Sequence, residues 1–194
     1  WQRTVGVGLA GKTLGIIGLG NIGAQVARIG RAFGMRAIAW SQNLTAARAA
    51  ENGAAPVSKE ELLRTSDVVT IHLRLSPRTR DLIRAEDLSL MKPTAFLINT
   101  SRGPIVDEGA LVQALRQGTI AGAGLDVFDR EPLPQGHPLL TAPNTVLTPH
   151  IGYVTKESYQ IYFREIVENI RSFLDGAPLR VINPEVMDSP ARRR

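Results

Sequence analysis

The string Gly18-Leu19-Gly20-Asn21-Ile22-Gly23 carries the clearest chemistry in this sequence. Its spacing, G-x-G-x-x-G, suits a backbone turn that approaches a pyrophosphate. Gly18 permits a tight turn. Gly20 keeps side-chain atoms away from the phosphates, and Gly23 lets the following helix pack closely on the preceding strand. Free N–H groups and the positive end of that helix then face the anion. Gly-rich turns are common, so the string means this only between a strand and a helix.

That context is present. Leu14-Gly15-Ile16-Ile17-Gly18-Leu19 reads as a buried strand, and Ile22, Val26, Ile29 and Phe33 recur at helical spacing up to a stop at Gly34. Further strands are expected at Ala37–Trp40, Asp67–His72, Ala95–Asn99, Ala121–Phe128 and Thr145–Leu147. Thr45 caps a helix to about Asn52, and Ser58 with Glu61 resembles a capping box. Asp107 opens a helix to Arg116 with Gly118 beyond it, and Glu157–Leu174 reads as a long helix. Six strands separated by helices imply an α/β, Rossmann-type doubly wound parallel sheet with helices on both faces.

A dinucleotide site of this kind expects an acid about 20 residues after the turn, for the ribose 2′-hydroxyl. The second strand ends instead in Trp40-Ser41-Gln42-Asn43. Ser41 does not repel a 2′-phosphate as a carboxylate would. No Arg adjoins it, although Arg36 and Arg48 lie a few residues away. The cofactor expected is therefore NAD or NADP.

Composition narrows the partners. The chain has 194 residues, 43% hydrophobic and 21% charged, with no Cys. That length suits one domain with attachments, or two small ones. It has no disulfide and no thiolate metal site, and no metal ligand is assigned. No apolar run of about 18 residues occurs, and Trp1-Gln2-Arg3-Thr4 lacks a signal-peptide core. The net charge of +5 is scattered, apart from Arg192-Arg193-Arg194, and does not interleave with aromatics. The expectation is a cytoplasmic protein that binds neither nucleic acid nor membrane.

Three further stretches carry a resemblance. They are Ile98-Asn99-Thr100-Ser101-Arg102-Gly103 followed by Val106-Asp107-Glu108, Gly122 to Pro132 (GAGLDVFDREP), and Thr148-Pro149-His150-Ile151-Gly152. With residues 11–23 they closely resemble the D-isomer-specific 2-hydroxyacid dehydrogenases, a family that includes glyoxylate and hydroxypyruvate reductases. The resemblance implies roles. Arg102 binds the substrate's carboxylate and carbonyl, His150 is the acid/base, and Glu131 is the carboxylate paired with it. Gly18, Gly20, Asn21, Ile22, Gly23 and Ser41 contact the cofactor, as do His72, Leu73, Arg74, Thr100, Ser101 and Gly152. Asp126 lies near the nicotinamide carboxamide. It also implies a homodimer, to which the apolar residues of 157–174 contribute, and slightly favours NAD.

These residue types suit the reaction. Reducing a 2-keto acid needs a hydride at carbon and a proton at oxygen, and imidazolium donates near neutral pH. A carboxylate beside it favours the charged ring. A guanidinium fork matches a carboxylate and polarises a carbonyl. His137 is expected to order a loop. His72 either lines the cofactor cleft or supports a strand end. The chain departs from the family pattern at Asp129, where Glu is usual, and at Arg74, where Pro is frequent.

The resemblance also implies a domain layout. Residues 1–10 would end an interdomain helix or linker, 11–152 form the NAD(P)-binding domain, 153–176 a crossing helix, and 177–194 a tail returning to a substrate domain. Most of that substrate domain is missing here, so the chain alone is expected to bind dinucleotide and turn over weakly or not at all. The competing expectation is a non-catalytic NAD(H)-binding regulatory module of the same fold. Glu131 argues against a formate dehydrogenase, which pairs its His with Gln.

Overall fold

Strand β1 (Thr13–Ile17) is buried along its whole length in a computed structural model that describes Trp1 and residues 5–188. The expectations for Gln2, Arg3, Thr4 and Arg192–Arg194 fall outside the described residues, as does the end of the 177–194 tail. β1 is flanked by β2 (Arg36–Trp40) and β4 (Val68–Ile71). β3 (Ala55–Pro56), β5 (Phe96–Asn99), β6 (Gly122–Leu125) and β7 (Thr145–Leu147) complete one sheet in the order β3-β2-β1-β4-β5-β6-β7. Every strand pair is parallel. Strands buried on both faces need continuous apolar runs, which is why TLGII and VVTI read as they do.

The chain leaves β1 toward β2 on one side and returns to β4 on the other, making the switch point where open α/β sheets bind ligands. Around the sheet lie α1 (Asn21–Ala32), α2 (Ala46–Glu51), α3 (Lys59–Thr65), α4 (Ala85–Leu90) and α5 (Glu108–Gln117). Thr45, Ser58 and Asp107 cap α2, α3 and α5 through their side chains, and Gly118 ends α5 in the left-handed conformation. Two apolar clusters cover the faces. Ile17, Leu62, Ile71, Leu97, Leu111 and Leu115 belong to the larger, and Leu14, Ile16, Ala27 and Ala39 to the smaller.

The structure adds two elements to those expected. The sheet has seven strands, because the two-residue β3 adds an edge to β2; Pro56 is tolerated there since an edge leaves an N–H side unpaired. α4 is an addition that the sequence pattern does not announce. α1 forms where the spacing implies a helix, and it packs inward through small residues. Its buried residues are Gly23, Ala24, Ala27 and Gly30, whereas Ile22, Ile29 and Phe33 are 66%, 57% and 60% exposed. Close packing of a helix on β1 requires small residues, so Ile22, Ile29 and Phe33 point outward, while Val26 packs partly buried against the smaller cluster. No helix forms among the described residues before Thr13.

The described residues from Gly152 onward form a separate unit. Its helix α6 (Lys156–Leu174) buries no residue and exposes Ile161, Phe163, Ile166, Ile170 and Phe173. Arg180 binds back to Glu168 (2.6 Å) and Asn169 (2.8 Å). No described helix is long and apolar enough to cross a membrane.

Candidate active site

The parallel register aligns the C-terminal ends of six strands. Ile17 pairs with Trp40 and Ile71, Ile71 with Asn99, Asn99 with Leu125, and Leu125 with Leu147. The next residue of each strand therefore joins one row: Gly18, Ser41, His72, Thr100, Asp126 and Thr148. This row accounts for how segments far apart in sequence reach one edge of the sheet.

At its centre is the glycine turn. Gly18 has φ +99°, and a Cβ there would meet the His72 carbonyl oxygen at 2.5 Å. A Cβ on Gly23 would collide with the Gly18 carbonyl. Gly20 is different, because nothing lies near its Cβ position. It precedes α1, which has no side-chain cap and no acid in its first turn. Its leading amides face an open cleft of about 940 Å³ lined by Gly18 to Ile22, Ser41, Arg48, His72 to Leu75 and Thr100 to Arg102. Uncapped amides beside an open glycine fit an anionic diphosphate. His72, half-buried, hydrogen-bonds Thr70 Oγ1 through Nε2 (3.0 Å), and burial pushes its imidazole pKa down.

The cleft thus gathers ten of the thirteen expected cofactor residues, with Arg102. Gly23 lies beneath the turn. Gly152 falls in the C-terminal unit. Asp126 is 5% exposed and does not line the cleft; its carboxylate accepts from Thr148 Oγ1 and from the Ile151 amide (2.9 Å). Sequence reasoning did not place Arg48 in the cleft. Thr45 caps α2 by accepting the Arg48 amide, and Arg48 Nε donates to the Leu19 carbonyl (3.3 Å) inside the glycine turn. The cap at Thr45 was the available signal, since it sets which residue of α2 faces back.

Arg102 follows β5 on a wired turn. Buried Asn99 accepts the Ser101 amide and donates to the Arg102 carbonyl (both 3.0 Å), while Ser101 Oγ donates to the Ile71 carbonyl (2.7 Å). Asn99 is a further residue whose role the sequence left unread. A Cβ at Gly103 would strike the Phe128–Asp129 peptide, so the strand-end turns of β5 and β6 touch.

That contact brings in the acid–histidine pair. His150 Nδ1 lies 2.6 Å from Glu131 Oε2, and Glu131 Oε1 accepts the Phe128 amide at 3.0 Å. Burial pushes the Glu131 carboxyl up. The hydrogen bonds from His150 and Phe128, and the charges of His150 and Arg102, outweigh it and hold the pKa below the usual carboxylate range. Both side chains are about one-third exposed (34%). His150 itself has φ +55°, a left-handed conformation that costs a non-glycine residue about 1–2 kcal/mol. Asp126 holds the turn on both sides of it, at Thr148 and Ile151. Among the described residues no group of three or more His, Asp or Glu could hold a metal ion.

Comparison with known proteins identifies the family. Residues 1–152 match the family model of the D-isomer specific 2-hydroxyacid dehydrogenase NAD binding domain. A glyoxylate reductase from Aeropyrum pernix is 50% identical over 184 residues, covering 94% of this chain and 55% of that protein. A Ralstonia solanacearum oxidoreductase, classed provisionally as a D-3-phosphoglycerate dehydrogenase, superposes with TM-score 0.90 at 46% identity, over 98% of this chain and 56% of that one. An acyclic imino acid reductase (Bsp5) in complex with NADPH and D-Arg gives TM-score 0.76 at 36% identity, over 92% and 56%. The chain spans about half the length of the relatives it matches. It belongs to the D-isomer-specific 2-hydroxyacid dehydrogenases, as their NAD-binding domain.

Proposed function

We propose that this chain is the cofactor-binding half of an enzyme that interconverts a small 2-keto acid, such as glyoxylate or hydroxypyruvate, with its D-2-hydroxy acid. The observation that carries this reading is the 2.6 Å His150–Glu131 pair, with the Arg102 charge acting on the same carboxylate beside the dinucleotide cleft. Bound NAD(P)H supplies the hydride that goes to the carbonyl carbon. His150 delivers a proton to the carbonyl oxygen through Nε2, and Glu131 at Nδ1 orients the ring and stabilises its charged form. Arg102 holds the substrate carboxylate and stabilises charge growing on the oxygen. In oxidation His150 takes the proton back.

The glycine turn, Asn21, Ile22 and Ser41 hold the dinucleotide with His72 to Arg74, Thr100 and Ser101, and Asp126 lies near its nicotinamide carboxamide. In this reading 1–10 are linker, 11–152 the cofactor domain, 153–176 a crossing helix and 177–194 a return toward a substrate domain. The exposed apolar residues of α6 support a homodimer. The absence of Cys fits a cytoplasmic setting.

The test is reduction of glyoxylate and hydroxypyruvate, followed by NADH and NADPH absorbance, in this chain and in a protein extended to the length of its relatives. Activity in the longer protein that His150→Gln abolishes is expected. Tight dinucleotide binding with no turnover in the longer protein would replace this reading with a regulatory NAD(H)-binding module.

A further inference from the structure

Glu108, the first residue of α5, lies outside the cleft, yet its carboxylate spans the loop that carries Glu131. Its Oε2 accepts the Asp129 amide at 3.2 Å, and its Oε1 lies 3.0 Å from His137 Nε2. Asp129 and His137 bracket Glu131 within the segment that joins β6 to the short 3₁₀ turn Pro138–Thr141. The His137 ring is oriented from its other side, because Nδ1 accepts the Leu139 amide (3.3 Å). An accepting Nδ1 puts the ring proton on Nε2, where it donates to Glu108. Leu139 is fully buried and anchors that end. The side chains of His137 and Glu108 are 19% and 18% exposed.

The peptide between Phe128 and Asp129 is where this matters. The Phe128 amide is taken by Glu131 and the next amide, Asp129, by Glu108. Gly103 packs against the same peptide from the Arg102 side. A shift of this peptide therefore moves Glu131 relative to both Arg102 and His150. Glu131 lends one oxygen to Phe128 and the other to His150, so its position depends on that amide staying where Glu108 and Gly103 hold it.

We propose that Glu108 and His137 form a clamp that positions Glu131, and through it His150, for proton transfer. The proposal rests on the reading of Glu131 and His150 as the proton-handling pair. Both clamp residues are positioning residues, since neither lines the cleft. A carboxylate is required at 108 because two donors, an amide and an imidazole N–H, converge on it. Glutamine offers a single acceptor oxygen and satisfies only one of them.

The test is the NMR signal of the His150 Nδ1 proton at one fixed pH in this chain, identified by its loss in His150→Gln. The variants are Glu131→Gln, Glu108→Ala and His137→Asn. The last of these keeps a side-chain acceptor for the Leu139 amide and removes only the link to Glu108, so it carries the test if Glu108→Ala fails to fold. Glu131→Gln is expected to move the signal upfield, and both clamp variants to move it the same way or broaden it by exchange with water, because a hydrogen bond to a loosened carboxylate is longer. NADH binding in the two clamp variants should stay within about twofold of wild type, because neither residue lines the cleft. A signal moved by Glu131→Gln and unmoved by the clamp variants overturns the clamp alone. A signal unmoved by Glu131→Gln overturns the pair itself, and the clamp with it.

Discussion

Glu131 and His150 meet at 2.6 Å through Oε2 and Nδ1, and the carboxylate's other oxygen is held by the Phe128 amide. Neither residue is rigid by burial. Their geometry comes from backbone on both sides: a peptide wedged over Gly103 beneath Glu131, and a left-handed turn, braced by Asp126, at His150. The pair is thus set by two strand-end turns of one sheet edge.

The charge of Glu131 makes the pair sensitive to acid. Its pKa in the folded chain is below the usual value, because partners outweigh burial. Its stabilising contribution is therefore complete above the unfolded carboxylate value and is lost as pH falls from there through the lowered folded value. Glu131→Gln should lose stability at neutral pH and flatten this acid-side decline in thermal melts. In a protein extended to the length of its relatives it should lower kcat/KM for glyoxylate by about 10²–10⁴-fold, the range for loss of effective general acid–base catalysis. A variant retaining wild-type kcat/KM removes Glu131 from the mechanism.

His72 should act at higher pH. Burial lowers its imidazole pKa, so between the unfolded value, about 6.5, and the lower folded value the unfolded chain binds the extra proton. Stability from this group is full above that window and falls as pH drops through it. His72→Gln, which keeps a nitrogen for Thr70 without titrating, should show a smaller fall in Tm between neutral pH and about pH 5, with the unperturbed imidazole lying inside that range. An identical fall in both proteins counts against a buried neutral ring.

Much of this site could be read from residue order, and the remainder could not for physical reasons. Gly18 and Gly23 announce their turn because their constraints are local: a positive φ and a close carbonyl. The strands after it are continuous apolar runs, so the aligned row of Ser41, His72 and Thr100 follows from the topology. β3 is two residues long and contains Pro, too little for a pattern. Ile22, Ile29 and Phe33 locate α1 in the sequence, yet they lie on its outer face, since large apolar residues give the same period whichever side they take. Glu108 and Arg48 act through hydrogen bonds to distant backbone, which spacing does not encode, and Asn99 braces its own turn through a side chain that the apolar pattern of β5 does not distinguish.

Gly103 marks where the two halves of the site meet. Its Cβ position is occupied by the Phe128–Asp129 peptide, which is backbone and cannot swing aside. Gly103→Ala should cost about 1–3 kcal/mol of stability, as overpacking does, and displace Glu131 from Arg102. NADH affinity should change less than turnover of 2-keto acid in the longer protein, because the glycine turn is untouched. Equal losses of both would mean that the whole sheet edge had shifted.

Cofactor choice is expected to depend on Ser41 and Arg48. The row position after β2 holds a hydroxyl where a carboxylate would select a free 2′-hydroxyl, so a 2′-phosphate meets no opposing charge there. Arg48 lines the same cleft and is tethered by Nε to the Leu19 carbonyl. A guanidinium anchored at one nitrogen presents the rest of its fork in a fixed direction, which favours phosphate over hydroxyl. Arg48→Ala is therefore expected to weaken NADPH binding about tenfold, the equivalent of about 1.4 kcal/mol, and NADH about twofold or less. Ser41→Asp should push the ratio further toward NADH by repulsion. Fluorescence of half-buried Trp40, the residue before Ser41, reads both titrations; Trp1 is fully exposed and supplies a constant background. Equal losses for the two dinucleotides in Arg48→Ala would assign the guanidinium to the glycine turn itself, with no part in reading the ribose.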